Sequence, residues 1–417
     1  MNWQAGLKNP LLRNAGSLYI IRIFSLILPL ISLPILTLRM SQVDFGHVLF
    51  TQSLTSWLLI ILDFGFIYTA TRAIATSRGD MGKVISTIMG SKLILLIVYF
   101  LFSALCYMAL PQLKQNPLIA CGFLFSVAFQ GFTPIWYFQG IEKMYIYATI
   151  DFLGRLSLLI LTVVFVTGPA AADLYALINA VVSLSILLIT CRTMYSTQKV
   201  EVVDFKSSLL FIRSSFPMFL TRVGSSIYTF APTIFAGLIL GPHAVAIYGG
   251  ADRLYRAASS FISPVSDAIF PRVSALAHSD PVRYRVWIQR SFLLLMSVSM
   301  LIFLGIEVIA PTIVRLVLGN QYSLSSDVLR TLALSIPAIG LGTFLGVNFL
   351  IPEGRDRVFT IIVVFSGFLG LSLIYFIPSI YGFAISVVAT EWLVAILCLV
   401  FSIRSIKLRL SYGGKSQ

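Results

Sequence analysis

The chain has 417 residues, of which 58% are hydrophobic and only 11% are charged, and its formal net charge is +14. Soluble domains carry about 25% charged residues, so this composition predicts a polytopic membrane protein. Nucleic-acid binding is not indicated, because the basic residues occupy short connections between apolar runs. The four cysteines lie in apolar segments without a CxxC pair and the three histidines are scattered, so neither a disulfide framework nor a metal site is expected.

Apolar segments recur along the whole chain. A membrane-spanning helix needs about 20 predominantly apolar residues. The predicted spans, in chain order, are 15–38, 45–70, 84–110, 117–139, 148–167, 173–193, 216–240, 244–270, 291–313, 328–351, 358–376 and 383–404. The sequence therefore predicts an all-α polytopic membrane protein with about twelve transmembrane helices. No connection is long enough for a soluble catalytic domain, and no nucleotide-binding motif or nucleophile–base set occurs, so an enzyme is not expected.

The longest polar connection lies in the middle of the chain and separates six spans from six. Both halves therefore begin on the same side of the membrane, which allows a parallel repeat. Arginines at matching positions in the first and second helices of the two halves support two pseudo-symmetric six-helix lobes; they are Arg22, Arg222, Arg72 and Arg272. The predicted N-terminal lobe, cytoplasmic linker and C-terminal lobe are 1–195, 196–215 and 216–417.

The basic residues of the connections predict the orientation. With a cytoplasmic N-terminus, the cytoplasmic side holds 20 lysines and arginines and the opposite side holds 4. The positive-inside rule therefore places both termini in the cytoplasm. The aromatic run Trp136-Tyr137-Phe138 near a cytoplasmic end is typical of the interfacial belt.

Charged residues also fall inside the predicted spans, where each costs roughly 2.5–3.5 kcal/mol unless it pairs or faces water. The basic ones are Arg22, Lys92, Arg155, Arg222, Arg253 and Arg256. The acidic ones are Asp63, Asp151, Asp252, Asp267, Glu307 and Glu391. So many ionisable groups predict a polar cavity and a transporter. The stretch Ser263–Ser274, with two prolines, is expected to shape or hinge one span at its cytoplasmic end.

Two acid–arginine pairs, Asp151–Arg155 and Asp252–Arg256, are spaced i, i+4 with the acid first. This spacing stacks both side chains on one helical face in the favourable order. Two interpretations stay open. The pair neutralises itself so that the helix can insert, or the arginine is shared between its aspartate in one state and an anionic cargo in another.

Arg22 and Arg222 have no acid within one helical turn, and Arg253 has none at i±4. The planar guanidinium fork binds phosphate oxygens in bidentate fashion, which favours an anionic, phosphate-bearing cargo. The predicted cargo-binding set is Arg22, Arg222, Arg253, Arg256 and Arg155. Snorkelling toward the headgroups is the alternative for Arg22 and Arg222, and it is the expected role of Lys92 near a helix start.

Carboxylates at membrane depth can carry a proton or ligate sodium. Glu307 and Glu391 lie toward outer helix ends without obvious basic neighbours, and Asp63 lies in an Asp-Phe-Gly-Phe sequence that also suits a packing or hinge role. The candidate ion-coupling residues are Asp63, Asp252, Glu307 and Glu391. Carboxylates in interfacial water are the alternative for the two glutamates.

Several segments resemble bacterial polysaccharide flippases over essentially the whole chain. They are Phe45-Gly46, Asp63-Phe-Gly-Phe66, Ala70-Thr-Arg72, Pro134-Ile-Trp-Tyr-Phe-Gln-Gly-Ile-Glu-Lys-Met144, Tyr248-Gly-Gly-Ala-Asp252 and Phe270-Pro-Arg272. The Trp-Tyr-Phe-Gln-Gly motif is the most specific of these. The resemblance is to the Wzx-type O-antigen flippases, within the multidrug/oligosaccharidyl-lipid/polysaccharide exporter superfamily.

The resemblance implies two lobes around a cationic cavity in the bacterial inner membrane. It implies that undecaprenyl-pyrophosphate-linked repeat units move from the cytoplasmic to the periplasmic leaflet by alternating access. No cofactor is implied beyond a coupling ion, H⁺ or Na⁺, and other polysaccharide-assembly membrane proteins are possible partners. A multidrug extruder of the same fold is the first alternative, although its cargo is commonly cationic. A polymerase is the second, although the short outer loops do not favour it.

Overall fold

The structure is a computed structural model that describes residues 28–77, 80–197, 204–277 and 279–413. Every regular element in these ranges is helical. The first ten helices are α1 (Leu28–Arg39), α2 (Gln42–Asp63), α3 (Phe66–Thr76), α4 (Met81–Ala109), α5 (Pro111–Gln115), α6 (Pro117–Phe132), α7 (Ile135–Gly140), α8 (Met144–Phe165), α9 (Ala171–Thr197) and α10 (Phe205–Ile239). The remaining elements are α11 (Pro242–Ser259), α12 (Ile262–Leu276), α13 (Pro281–Val317), a 3₁₀ turn (Asn320–Tyr322), α14 (Leu324–Ala333), α15 (Ile336–Gly342), a π-helix (Thr343–Leu350), α16 (Asp356–Phe376) and α17 (Ile380–Gly413).

The described helices confirm the predicted polytopic fold. Nine of them, counting consecutive helices together, are long and apolar enough to cross a membrane, and α1 and the end of α10 are shorter apolar helices. With α11 and α12, they overlap all twelve predicted spans. Large apolar side chains point outward, including Leu38, Val308 and Tyr375, which are 77–80% exposed. Such a surface requires lipid around it, so the chain is a multi-pass membrane protein.

The chain divides into two compact units, residues 1–223 and 224–417, with the boundary inside α10. The first part of α10 packs within the first unit, where the Ser91 hydroxyl donates to the Ser208 carbonyl at 2.9 Å. The predicted linker 196–215 overlaps the start of α10, which packs within the first unit. The sequence shows where the chain is polar but not what it packs against. That the two lobes move relative to one another remains a prediction.

The second span is broken between α2 and α3. Phe64 and Gly65 have φ angles of 46° and 75°, in the left-handed region that ends a helix. A Cβ on Gly65 would lie 2.6 Å from the Met218 Cβ. Glycine is therefore required at position 65 for two reasons: its left-handed backbone conformation and the close approach of α10. The Asp63 segment, predicted to have a packing or hinge role, lies at this break and packs closely against α10.

We expect Gly65→Ala to destabilise the protein by more than backbone strain alone. Strain in the left-handed region costs roughly 1–2 kcal/mol, and the methyl group would also displace α10. Gly168→Ala is the matched control, because Gly168 has the same φ of 75° but no atom lies within 4 Å of the place that a Cβ would take. Thermal unfolding in detergent should show a clearly lower melting temperature for Gly65→Ala than for Gly168→Ala. Equal losses would contradict the close approach of Met218.

The Trp-Tyr-Phe-Gln-Gly motif forms α7, which packs on α3. Trp136, Tyr137 and Phe138 are at most 2% exposed, so they pack inside the protein and do not face the headgroups as an aromatic belt would. A Cβ on Gly140 would lie 2.6 Å from the Ile74 Cγ2, which explains the glycine that closes the motif. The motif therefore packs the span formed by α6 and α7 against the span formed by α2 and α3, in the core of the first unit.

Candidate functional site

Arg222 has an ionic partner that is distant in sequence. Its Nε lies 3.3 Å from the Asp63 Oδ2, across the packing of α10 on the end of α2. The Arg222 side chain is 45% exposed and the Asp63 side chain is 23% exposed. The sequence predicted that Arg222 has no acid within one helical turn, which is true of its own helix, but Asp63 approaches it from another helix. The structure brings this predicted cargo-binding residue together with a predicted coupling residue.

Lys92 is the buried cation that sequence reasoning misplaced. Its side chain is 2% exposed, and its ammonium donates to the carbonyl oxygens of Leu62 at 3.1 Å and Gly131 at 2.5 Å. These carbonyls belong to the last turns of α2 and α6, where helical N–H partners run out. The ammonium also lies 5.4 Å from the centre of the Phe66 ring. Lys92 does not snorkel, because two interrupted helices offer it acceptors in the protein interior.

The Asp151–Arg155 pair forms on α8 as its spacing predicts. The Arg155 Nε lies 2.8 Å from the Asp151 Oδ2. Arg155 is 43% exposed and Asp151 is 16% exposed. Both residues line a cavity within the first unit. The arginine is the accessible member of the pair.

The Asp252–Arg256 pair on α11 also forms as predicted. The Arg256 Nε lies 2.6 Å from the Asp252 Oδ2, and its Nη2 donates to the Thr229 carbonyl at 2.6 Å. The Asp252 side chain is 9% exposed and that of Arg256 is 38% exposed. The aspartate and the Thr229 carbonyl together hold the guanidinium in one orientation, with part of it accessible.

Glu391 joins this pair from α17. It lies close enough to Arg256 and to Tyr255 for electrostatic interaction. The Tyr255 hydroxyl in turn accepts a hydrogen bond from Ser335 at 2.7 Å. The expectation that Glu391 lacks a basic neighbour is wrong, because helix packing brings it to an arginine far away in the chain. Arg256 is thus paired with Asp252 and lies near a second carboxylate, that of Glu391.

Two further predictions need correction. The Glu307 Oε2 lies 4.0 Å from the Arg330 Nε, which also donates to the Glu307 carbonyl at 3.2 Å, so Glu307 has a basic neighbour. Arg253 is half-buried and has interaction partners, so it is not the free cation that its sequence neighbours suggested. Arg22 lies outside the described residues. Within the described part of the chain, no group of three or more histidine, cysteine, aspartate or glutamate side chains could hold a metal.

Three ion pairs share one arrangement. In the pairs of Arg222, Arg155 and Arg256, the arginine side chain is 38–45% exposed and the aspartate side chain is 9–23% exposed. In each pair the aspartate is the more buried residue and the arginine is the more accessible one. An arginine held this way can bind a second anion without leaving its first partner, since the guanidinium offers five N–H donors. The arrangement suits reversible binding of phosphate groups.

Comparisons with known proteins agree with this architecture. The family profile described as "Polysaccharide biosynthesis protein" matches residues 11–277, and the MatE profile matches residues 217–376. Two relatives carry the name "Putative O-antigen transporter". The one from Escherichia coli (strain K12) is 26% identical over 94% of this chain and 97% of its own length. The one from Shigella dysenteriae is 28% identical over 95% of this chain and 100% of its own length.

Among solved structures, the lipid II flippase MurJ in an inward closed conformation has a similar fold, with a TM-score of 0.80. The sequence identity is 14%, and the match covers 93% of this chain and 87% of MurJ. These observations define the class, a polytopic α-helical membrane protein with the MurJ-like fold and arginine–carboxylate pairs in its spans. Because the first profile covers more than half of the chain, the chain belongs to the polysaccharide biosynthesis protein family.

Proposed function

We propose that this protein moves undecaprenyl-pyrophosphate-linked O-antigen or polysaccharide repeat units from the cytoplasmic to the periplasmic leaflet. Each polar group taken into hydrocarbon without a partner costs several kcal/mol, so such a cargo does not cross a bilayer unaided. Support comes from the family, from relatives named as O-antigen transporters and from the MurJ-like fold. The membrane is the bacterial inner membrane, with both termini in the cytoplasm.

The observation that carries the proposal is that, in three intramembrane ion pairs, the arginine side chain is more exposed than the aspartate side chain. The proposed pyrophosphate-binding residues are Arg222 and Arg155 of the first unit, Arg256 and Arg253 of the second unit, and Arg22. A cationic drug would instead select accessible carboxylates. The arrangement therefore favours the lipid-linked anion over the cargo of a multidrug extruder, although the MatE profile matches part of the second half.

Cargo binding is coupled to an ion through the carboxylates that share these arginines. When pyrophosphate binds a guanidinium, the positive charge of the arginine neutralises the partner carboxylate less completely, which is costly in a medium of low dielectric constant. Binding of H⁺ or Na⁺ then restores neutrality. The proposed coupling residues are Asp63, Asp252, Glu307 and Glu391. Asp63, Asp252 and Glu391 lie beside cargo-binding arginines, whereas the arginine neighbour of Glu307 is Arg330. Alternating access exposes the site to each leaflet in turn.

A deletion strain tests the reaction itself. We expect full-length lipid-linked repeat units to accumulate on the inner leaflet, because assembly up to translocation remains intact. Shortened units would indicate a glycosyltransferase. Single units already exposed on the periplasmic side would indicate a polymerase. Either of the last two outcomes would overturn the proposed function.

Arg222→Gln tests the predicted cargo site in the first unit. We expect surface polysaccharide assembly to fall at least about tenfold, since a hydrogen bond to a charged group contributes roughly 1.5–3 kcal/mol. Arg283→Gln is the matched control, because Arg283 also pairs with an aspartate, Asp280, but is 72% exposed. The measurement is complementation of the deletion strain at equal membrane levels of protein. Normal assembly with Arg222→Gln would remove this residue from the site.

A further inference from the structure

A cavity of about 220 Å³ lies inside the first unit, among α2, α6, α8 and α9. Amide and hydroxyl groups contribute much of its lining, from Gln130, Thr133, Tyr147, Asn179 and Ser183. Apolar side chains, among them Leu158, Val182 and Ile186, complete the wall. So many neutral polar groups at membrane depth are costly unless they have partners or a polar occupant.

A hydrogen-bond network holds the cavity's amide groups in place. The Gln130 Nε2 donates to the hydroxyl groups of Ser126 at 3.1 Å and Ser183 at 3.4 Å, and these two hydroxyls lie 2.8 Å apart. The Asn179 Nδ2 donates to the Tyr175 carbonyl at 2.8 Å. The side-chain oxygens of Gln130 and Asn179 accept no hydrogen bond from the residues that the structure describes. Each therefore remains available to an occupant.

The charges of the lining cancel. Asp151 and Arg155 both face the cavity and are paired with one another at 2.8 Å. Arg155 is already assigned to pyrophosphate and Asp151 is its partner, so the remaining polar lining consists of neutral amides and hydroxyls. A carboxylate, a guanidinium, two amides and several hydroxyls together match a neutral ligand that carries many hydroxyl groups. The volume is below the ~300–1,000 Å³ of typical drug-sized sites, so the part of an occupant that lies within this partly open cavity is about one ring.

We infer that this cavity is a sugar subsite that receives one ring of the lipid-linked oligosaccharide. Ring hydroxyls donate to the side-chain oxygens of Gln130 and Asn179 and exchange hydrogen bonds with the Asp151–Arg155 pair. The C–H faces of the ring pack on Leu158, Val182 and Ile186. The subsite rests on the proposed function and adds recognition of the glycan to recognition of the pyrophosphate.

Binding of two lipids to the purified protein in detergent tests the subsite. One is the lipid-linked repeat unit extracted from the native cells, and the other is undecaprenyl pyrophosphate without sugar. We expect the wild-type protein to prefer the glycosylated lipid at least about tenfold, as two or more additional hydrogen bonds allow. Gln130→Leu and Asn179→Leu should each reduce that preference about fivefold and leave the affinity for undecaprenyl pyrophosphate unchanged.

Gln139→Leu is the matched control, because Gln139 is an exposed amide of the first unit outside the cavity, and it should keep the full preference. Val182→Phe provides an independent test by filling the cavity without removing a polar group. Val182→Phe should also abolish the preference for the glycosylated lipid, and the melting temperature of the protein should not change. Agreement of the polar and the steric variants would separate loss of the subsite from general misfolding.

Other outcomes overturn the subsite. Equal weakening of both lipids by Gln130→Leu, Asn179→Leu and Val182→Phe would show a structural role. Equal affinity of the wild-type protein for both lipids would remove the sugar subsite but leave the proposed function standing. If the wild-type protein bound neither lipid, the proposed function and the subsite would fail together.

Discussion

Arg256→Gln should abolish transport and also destabilise the second unit. The substitution leaves Asp252 9% exposed without its cation and removes the donor to the Thr229 carbonyl. The expected loss of stability lies between the ~1 kcal/mol of an exposed pair and the ~3–5 kcal/mol of a buried one, because Arg256 is partly accessible. Complementation of the deletion strain and thermal unfolding measure the two effects separately.

A neutral double variant decides between the two interpretations of the pair. In Asp252→Asn with Arg256→Gln the aspartate loses its charge together with its cation, and only Glu391 is left without its arginine neighbour, so part of the stability should return. If Arg256 binds pyrophosphate, transport should remain absent despite the restored fold. If the pair serves only to make α11 insertable, the double variant should transport normally. Arg256→Lys is informative as well, since it keeps the charge but loses the bidentate fork, and we expect weak transport.

Lys92→Met should be among the most destabilising single substitutions in the first unit. Methionine preserves the length and apolar stem of the side chain but removes hydrogen bonds to the Leu62 and Gly131 carbonyls. Each hydrogen bond to a charged group contributes about 1.5–3 kcal/mol, so the expected loss is about 3–6 kcal/mol. The freed carbonyls would remain buried at the ends of α2 and α6 without donors.

Lys114→Met is the control for Lys92→Met, because Lys114 is exposed in the short helix α5. Unfolding followed by heat or by accessibility of the native cysteines should show a large effect for Lys92 and a negligible one for Lys114. An unaltered melting temperature in Lys92→Met would mean that the two helix breaks are stabilised by packing alone. The ammonium of Lys92 would then have to be explained in another way.

Local features of the sequence were sufficient for the topology and for part of the site. Apolar length predicts each span, because a spanning helix must satisfy its own backbone in lipid. Helical periodicity predicts the pairs Asp151–Arg155 and Asp252–Arg256, because side chains at i and i+4 share a face whatever surrounds them. The break beside Asp63 falls inside the predicted span 45–70, and the run Asp-Phe-Gly-Phe indicated only a packing or hinge role there.

Contacts between distant segments were decided by the tertiary structure alone. The pairing of Arg222 with Asp63, the proximity of Glu391 to Arg256 and the burial of Lys92 all depend on which helix faces which. No periodicity within one helix encodes the rotation and depth at which another helix packs on it. The sequence by itself thus determined a twelve-span membrane protein with charges in its spans. Only packing decided which charges meet, because a cation in a membrane protein takes its position from the acceptors that neighbouring helices leave unsatisfied.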